Sequence, residues 1–220
     1  MECVFERNNA SGAGGGAIYV GGGGSRLHAI STAGNSAPNG GGGVLLWEGQ
    51  TPPAISGVRG GAPLYGAGID SNHAAYGPLH ATLYTSLAVL PSEVPAWPGI
   101  EVEVVVQKLD FYGQRIVNDD ASFLKLSAVR NVSDRVADAD VNLFGATTAK
   151  MAAGRAVFRF TLQPSFVEDP STLQKALQHV FLSFEGSDAA GGSTMLSSIT
   201  PVVFRGGGGG RDDLPRGICS

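Results

Sequence analysis

Charge is scarce in this 220-residue chain, where Asp, Glu, Lys and Arg together make up 15% of residues, against about a quarter in an ordinary soluble domain. The net charge is −4 and no Lys/Arg cluster occurs. That removes the phosphate-neutralising surface a nucleic-acid binder needs. No apolar run approaches the ~18 residues that span a bilayer as a helix. A basic-then-apolar leader is missing as well. The first residues, MECVFERNNASG, read as the inside of a domain, so the expectation is a fragment of a longer protein. Cysteine is limited to Cys3 and Cys219. The two could pair, or each could belong to structure beyond the chain.

Glycine is abundant, with 33 residues, and 19 of them fall in the first 75 positions beside only seven charged residues. The other 27 charges lie in the remaining 145 residues. This shift in composition divides the chain into two regions. In the first, Asn8-Asn9-Ala10 recurs as Asn35-Ser36-Ala37 and as Asn72-His73-Ala74. Gly16-Ala17-Ile18-Tyr19 matches Gly43-Val44-Leu45-Leu46, and Phe5-Glu6-Arg7-Asn8 matches Ile69-Asp70-Ser71-Asn72. The spacing is irregular, as expected where loops of variable length leave a fixed coil. A stacked coil accounts for the composition. Glycine and asparagine tolerate the left-handed backbone of sharp turns. Asparagines stacked at one turn can form a hydrogen-bonded ladder, which predicts equivalent turn positions for Asn8, Asn35 and Asn72. One rung cannot bury its own apolar face, so each needs a neighbour.

Phe5, Asn8, Ala10, Gly15, Gly16, Ala17 and Ile18 resemble the polymorphic outer membrane protein repeat, with its F-x-x-N and G-G-A-I elements. The resemblance implies a right-handed parallel β-helix in a secreted or surface protein. The second copy departs from it at Thr32, Val44 and Leu45, and the third leaves it at Tyr76-Gly77-Pro78.

Beyond Tyr76 the period changes. Candidate strands run over 80–90, 100–110, 122–129, 155–163, 179–185 and 198–204, with a turn at Phe111-Tyr112-Gly113-Gln114. The stretch 145–154 leads into the fourth of these, and 171–178 hints at a short helix. About seven strands in roughly 130 residues fit an immunoglobulin-like antiparallel sandwich. Its core candidates are Val102, Val104, Phe123, Leu124, Val157, Phe158, Phe160, Phe181 and Phe184, which strand alternation forbids from all facing inward. Asn72, Ala74, Tyr76-Gly77-Pro78, Ala81-Thr82, Asp110, Tyr112, Gly113 and Asp119-Asp120 resemble a module of large protist or algal surface proteins. Gly145, Thr147, Ala149, Gly154, Ala156 and Phe158 extend the match. In that module a β-helix precedes an immunoglobulin- or filamin-like domain, and a Cys-rich segment often follows.

Chemistry-bearing patterns are few. The glycines at 12–16, 21–24 and 40–43 lack the Lys and the following helix of a phosphate-binding loop. They also lack the βαβ setting of a dinucleotide fingerprint. The acids of the first region, Glu2, Glu6, Glu48 and Asp70, do not recur at matching rung positions, as glycosidase or lyase chemistry would require. No G-x-S-x-G elbow occurs. His28, His73, His80 and His179 are scattered, and a zinc site would need more ligands than His73 and His80. Asp134, Asp138 and Asp140 are calcium candidates, joined by Asn142 and, if the loops meet, by Asp119-Asp120. The plainer reading of these acids is a solvated loop. Asn9-Ala10-Ser11 and Asn131-Val132-Ser133 fit the N-glycosylation acceptor pattern, a triplet that also arises by chance. Trp47 and Trp97 are expected to pack, sugar stacking being the sharper alternative.

The expected architecture is all-β: a partial right-handed parallel β-helix of two to three rungs over 1–75, then an immunoglobulin-like β-sandwich over 76–205. A Gly-rich linker over 206–220 leads towards a possible Cys-rich segment. The expected function is a structural or adhesive module of a larger, membrane-anchored extracellular or cell-surface protein. It has no catalysis of its own and no cofactor beyond a possible calcium. Expected partners are neighbouring domains of a longer chain and possible surface glycans or proteins, with neither nucleic acid nor nucleotide among them. The alternative is a fragment of a β-helical carbohydrate-active enzyme whose site lies upstream.

Overall fold

The computed structural model describes residues 3–12, 14–21, 26–28, 30–47, 54–56, 72–132, 135–138, 141–164, 180–187 and 196–204. Among them all regular structure is β-strand, arranged in several sheets. The helix hinted at over 171–178 lies outside the described residues.

The Gly-rich region forms short parallel pairings. Its strands are β1 (Cys3–Glu6), β2 (Ile18–Val20), β3 (Arg26–His28), β4 (Ile30–Ala33), β5 (Ser36–Gly41), β6 (Leu45–Trp47), β7 (Ala54–Ser56), β8 (His73–Tyr76) and β9 (His80–Thr82). β1 pairs with β4, β3 with β7 and β5 with β8, while β2, β6 and β9 form one three-stranded sheet; every one of these pairings is parallel. The register follows the sequence repeat between the first two passes, and between the second and third it does so as far as Ala37 and then shifts before Gly41. Phe5 pairs with Thr32, Ile18 with Leu45 and Leu45 with His80, and isolated bridges join Asn9 to Ser36 and Gly14 to Gly41. Each pass of the chain lies on the next with like positions in contact.

One glycine position sets the turn that each pass makes. Gly15, Gly42 and Gly77 hold φ of 70°, 72° and 59°. A Cβ there would lie 2.5, 2.1 and 2.4 Å from the carbonyl oxygens of Ile18, Leu45 and His80. The same tight turn therefore recurs three times. The sequence of the third copy departs from the repeat at Tyr76-Gly77-Pro78, yet its backbone keeps the turn. Tyr76 pairs with Gly41, and its ring lies where a Gly41 side chain would be. In the earlier passes the flanking glycines are needed as well, because a Cβ at Gly14, Gly16 or Gly43 would lie 2.4, 2.1 or 2.2 Å from the carbonyl oxygens of Gly41, Gly43 or Pro78 in the next pass, whereas the third pass carries Tyr76 and Pro78 at the same places.

The remaining strands are β10 (Tyr84–Leu90), β11 (Val94–Ala96), β12 (Glu101–Asp110), β13 (Phe123–Val132), β14 (Arg135–Asp138), β15 (Val141–Gly145), β16 (Thr148–Lys150), β17 (Arg155–Pro164), β18 (Val180–Ser187) and β19 (Leu196–Phe204). One antiparallel sheet has the order β10-β12-β17-β15. A second has the order β11-β19-β18-β13-β14, with β16 also on β13; it is antiparallel except where β11 runs parallel to β19. The span expected to be one strand over 80–90 is two. β9 belongs to the parallel stack and β10 to the antiparallel sheet, with Leu83 between them.

Strand alternation builds one core between these two sheets. Val102, Val104 and Val106 of β12 and Phe158, Phe160 and Leu162 of β17 face Leu124, Leu126, Leu182 and Phe184 across it. Phe158 and Phe184 meet edge to face at 5.4 Å, a favourable ring geometry. Two of the core candidates face outward: Phe123 is 52% exposed and Val157 is 40% exposed. Each sits one residue out of phase with its buried neighbours, Leu124 and Phe158. Phe181 is half-buried and lies outside the core cluster. On the outer face Glu103 pairs with Arg159 at 2.9 Å, both well exposed, so the pair adds about 0–1 kcal/mol.

Candidate functional site

Two polar constructions stand out: a ladder of asparagines through the parallel stack, and a buried carboxylate where the stack meets the sandwich-like sheets. The ladder joins Asn8, Asn35 and Asn72. The backbone N–H and Nδ2 of Asn8 both donate to Asn35 Oδ1, at 3.1 and 2.9 Å. Those of Asn35 donate in the same way to Asn72 Oδ1, at 2.9 and 3.2 Å. Asn35 Nδ2 also donates to the Phe5 carbonyl at 3.0 Å. Asn35 is fully buried and Asn72 nearly so, so these bonds replace water completely.

Asn39 is exposed, and its Nδ2 donates to the Ser11 carbonyl. Asn35→Leu is therefore expected to cost about 2–4 kcal/mol, because it strands the amide of Asn8 and the buried acceptor of Asn72. Asn39→Leu should stay within about 1 kcal/mol. Urea denaturation of both variants checks this, and equal losses would sink the ladder's role.

At the junction, Asp110 ends β12 and is 1% exposed. Its Oδ1 accepts from the N–H groups of Tyr112 and Gln114, at 2.9 and 2.8 Å. Its Oδ2 accepts from Thr82 N–H at 3.2 Å and from Gln114 Nε2 at 3.0 Å. The first pair folds the 110–114 turn. Of the second pair, the Thr82 bond reaches across to β9, the last strand of the stack. Thr82 completes the clasp, its Oγ1 accepting from Phe111 N–H at 2.8 Å, while Gln114 Nε2 also donates to the His80 carbonyl at 3.1 Å. Beneath lies a small apolar cluster of Leu46, Tyr76, Ala81 and Ile116, drawn from both regions. Farther out, Asn118 Nδ2 donates to the Asn39 carbonyl at 3.0 Å. The Thr82 and Asp110 positions, known from sequence only as parts of a motif, are thus bonded directly.

His80 packs edge-on to Tyr112 at 4.1 Å. Burial lowers its pKa below the ordinary imidazole value, and the Asp110 carboxylate offsets part of that shift. Burial, reinforced by Asp110, pushes the Tyr76 phenol up to about 12. Both rings are therefore neutral parts of the junction at physiological pH.

Asp119 and Asp120 are already engaged. Asp119 Oδ2 meets the Lys108 ammonium at 2.5 Å, and its Oδ1 accepts from the N–H groups of Ala121 and Ser122. Asp120 Oδ1 accepts from Ala153 N–H. Burial alone would raise the Asp119 pKa, but the bonds from Lys108, Ser122 and Ala121 outweigh it and hold the carboxyl at about 2. A depressed carboxyl pKa stabilises above the unfolded value, near 3.9, and the contribution is lost as pH falls through the folded value. Acid unfolding of the chain should therefore steepen between about pH 4 and pH 2. The Asp119→Asn variant should flatten that segment of the stability–pH curve, and an unchanged slope would contradict the assignment.

The other sequence candidates are not gathered into a site. Asp134 and Asp140 lie outside the described residues, and Asp138 ends β14, its backbone paired with Val129. No group of three or more His, Cys, Asp or Glu side chains with metal-holding geometry occurs among the described residues. Of the glycosylation candidates, Asn9 is exposed, and Asn131 lies in β13 paired with Val136. His73 is exposed on β8. His179 and Cys219 lie outside the described residues. Trp47 is buried in β6, its Nε1 without a partner among the described residues. The residues that sequence reasoning missed are Gln114 and Lys108. Their signal was present only as a polar residue within the 110–114 turn and one just ahead of it.

No family model matches the sequence, and no curated protein matches it. Among solved structures the chain is similar to the E. coli chaperone DraB, at 13% identity and a TM-score of 0.35, with 56% of this chain and 55% of that one covered. It is also similar to domains 4 and 5 of the S-layer protein SbsC, at 11% identity and a TM-score of 0.27, with the same coverage of each chain. The chain spans just over half the length of these structures, and likeness at this level leaves its family open.

Proposed function

We propose that this chain is a structural module of a larger extracellular or cell-surface protein, serving as a stiff adaptor between a stacked coil and a sandwich domain. In this reading the parallel stack is part of a right-handed parallel β-helix of the polymorphic outer membrane protein type. The antiparallel sheets are an immunoglobulin-like sandwich, and the chain has no catalytic role. Neighbouring domains, and surface glycans or proteins, are its partners. The observation that supports the reading is the junction. β9 and β10 are separated only by Leu83, and the buried Asp110 carboxylate ties Thr82 of the stack to the 110–114 turn. A tether would leave such a joint loose, whereas an adaptor needs it fixed.

The test is a distance measurement between spin labels at Val4 and Phe144, both exposed, introduced as Val4→Cys and Phe144→Cys with Cys3→Ser and Cys219→Ser. A single narrow distance distribution is expected. A broad distribution spanning tens of ångströms would mean that the two regions move independently and would overturn the adaptor reading.

A further inference from the structure

His80 spans the joint between the two regions. Its backbone belongs to β9, where it pairs with Leu45 of the stack. Its carbonyl accepts from Gln114 Nε2 at 3.1 Å, and its ring packs edge-on to Tyr112 at 4.1 Å. Gln114 and Tyr112 both belong to the 110–114 turn that follows β12. The ring therefore lies between the last strand of the stack and a turn of the sandwich-like sheets.

A neutral ring suits this place and a charged one does not. Its Nδ1 is buried and has no hydrogen-bond partner among the described residues. Protonation makes both ring nitrogens donors, so Nδ1 would become a buried N–H with no acceptor. Asp110 is the charged group that faces the ring, and its attraction offsets part of the effect of burial. That carboxylate is already engaged. Its oxygens accept from the N–H groups of Tyr112, Gln114 and Thr82 and from Gln114 Nε2, which fills the roughly four sites a carboxylate offers. The other titratable groups of the joint, among the described residues, are the phenols of Tyr112 in the turn and Tyr76 in β8. The Tyr76 hydroxyl is committed to the Thr82 carbonyl at 3.2 Å. To gain a proton the imidazole must reach water, and it reaches water by leaving Tyr112.

We propose that His80 makes the joint acid-sensitive: in mildly acidic surroundings the imidazole takes up a proton by swinging off Tyr112 into water, and the clasp between the stack and the sheets loosens with it. The lowered pKa of the packed ring fixes the direction. In an open joint the ring binds its proton near the ordinary imidazole value of ~6.5. In the closed joint it does so only at lower pH. Closure is therefore at full strength above about pH 6.5 and weakens as the pH falls below that value. The module would be stiff in neutral surroundings and pliable in acid ones, a response in the range where histidine alone ordinarily titrates. The inference rests on the fixed joint proposed above and adds a condition under which it yields.

The test is NMR-detected hydrogen exchange on the full chain at about pH 7.5 and about pH 5.5, with rates corrected for the intrinsic effect of pH. The amides of Thr82, Tyr112 and Gln114 report on the joint, since all three donate to Asp110. Their protection is expected to fall by about five- to tenfold at the lower pH, the factor that one linked proton supplies over about one pH unit. The amides of Val104 and Phe158, fully buried in the core, should keep theirs. In His80→Phe, which keeps a ring against Tyr112 and takes no proton, the fall should vanish. His80→Gln serves the same purpose if the larger ring disturbs folding. Unchanged protection at the three amides overturns the inference. So does an equal fall in the variant, or an equal fall at Val104 and Phe158, which would make the effect global. The spin-label distances at neutral pH test the adaptor reading by themselves. A broad distribution there sinks that reading, whereas a narrow one beside pH-independent protection sinks only the acid response.

Discussion

Phe158→Ala is expected to destabilise the chain by about 3–5 kcal/mol, a large share of the ~5–15 kcal/mol that holds a domain folded. Phe158 is fully buried and is packed edge to face on Phe184 from the opposite sheet. Truncation opens a cavity where the two sheets meet and leaves Phe184 without its ring partner. The control is one position along the same strand. Val157, 40% exposed, lies on the outer face, and Val157→Ala should cost under about 1 kcal/mol. Phe123→Ala, at 52% exposure, should be similarly mild. Thermal or urea unfolding separates these outcomes. A loss at Val157 as large as that at Phe158 would mean that the inward and outward faces have been exchanged.

Asp110→Ala is expected to cost about 3 kcal/mol or more, because it removes a buried ion whose bonds satisfy several buried donors at once. The effect should also change the form of unfolding. With the clasp gone, the N–H of Thr82 and the 110–114 turn lose their common acceptor, and the stack can melt before the sandwich-like sheets. A second, earlier transition should therefore appear on heating, accompanied by a broader distance distribution between labels at Val4 and Phe144. Asp110→Asn keeps one acceptor oxygen but places an NH2 against N–H donors, so it should fall between the wild type and Asp110→Ala. A single unshifted transition in Asp110→Ala would show that the carboxylate is incidental to the junction.

Much of this was legible in the sequence because it depended on period. The alignment of Phe5 with Thr32 and of Ile18 with Leu45 reappears as strand register, since stacked passes bring equivalent residues together. The alternation of Glu101 and Glu103 with Val102 and Val104 gave the inner face of β12 directly. Phe123 and Val157 resisted the same treatment. An apolar residue on an outward position looks like a core residue until the phase of its strand is known. The junction was the least legible part. Thr82 meets Asp110 across 28 positions of sequence and His80 meets Gln114 across 34, and no local pattern announces contacts of that separation. The sequence of the third copy pointed to a break at Tyr76, whereas the parallel pairing runs on to Thr82. Tyr76 and Pro78 stand where the earlier passes have glycines, and the positive-φ turn at Gly77 persists between them.

The single-residue connection at Leu83 has a mechanical meaning. Tension pulled through the stack reaches the sheets through one peptide segment, from β9 into β10. The bonds from Thr82 to Asp110 and to Phe111 lie beside that segment. They would share the load in parallel with the chain, so the joint should yield by shearing several bonds together rather than by unzipping them one at a time.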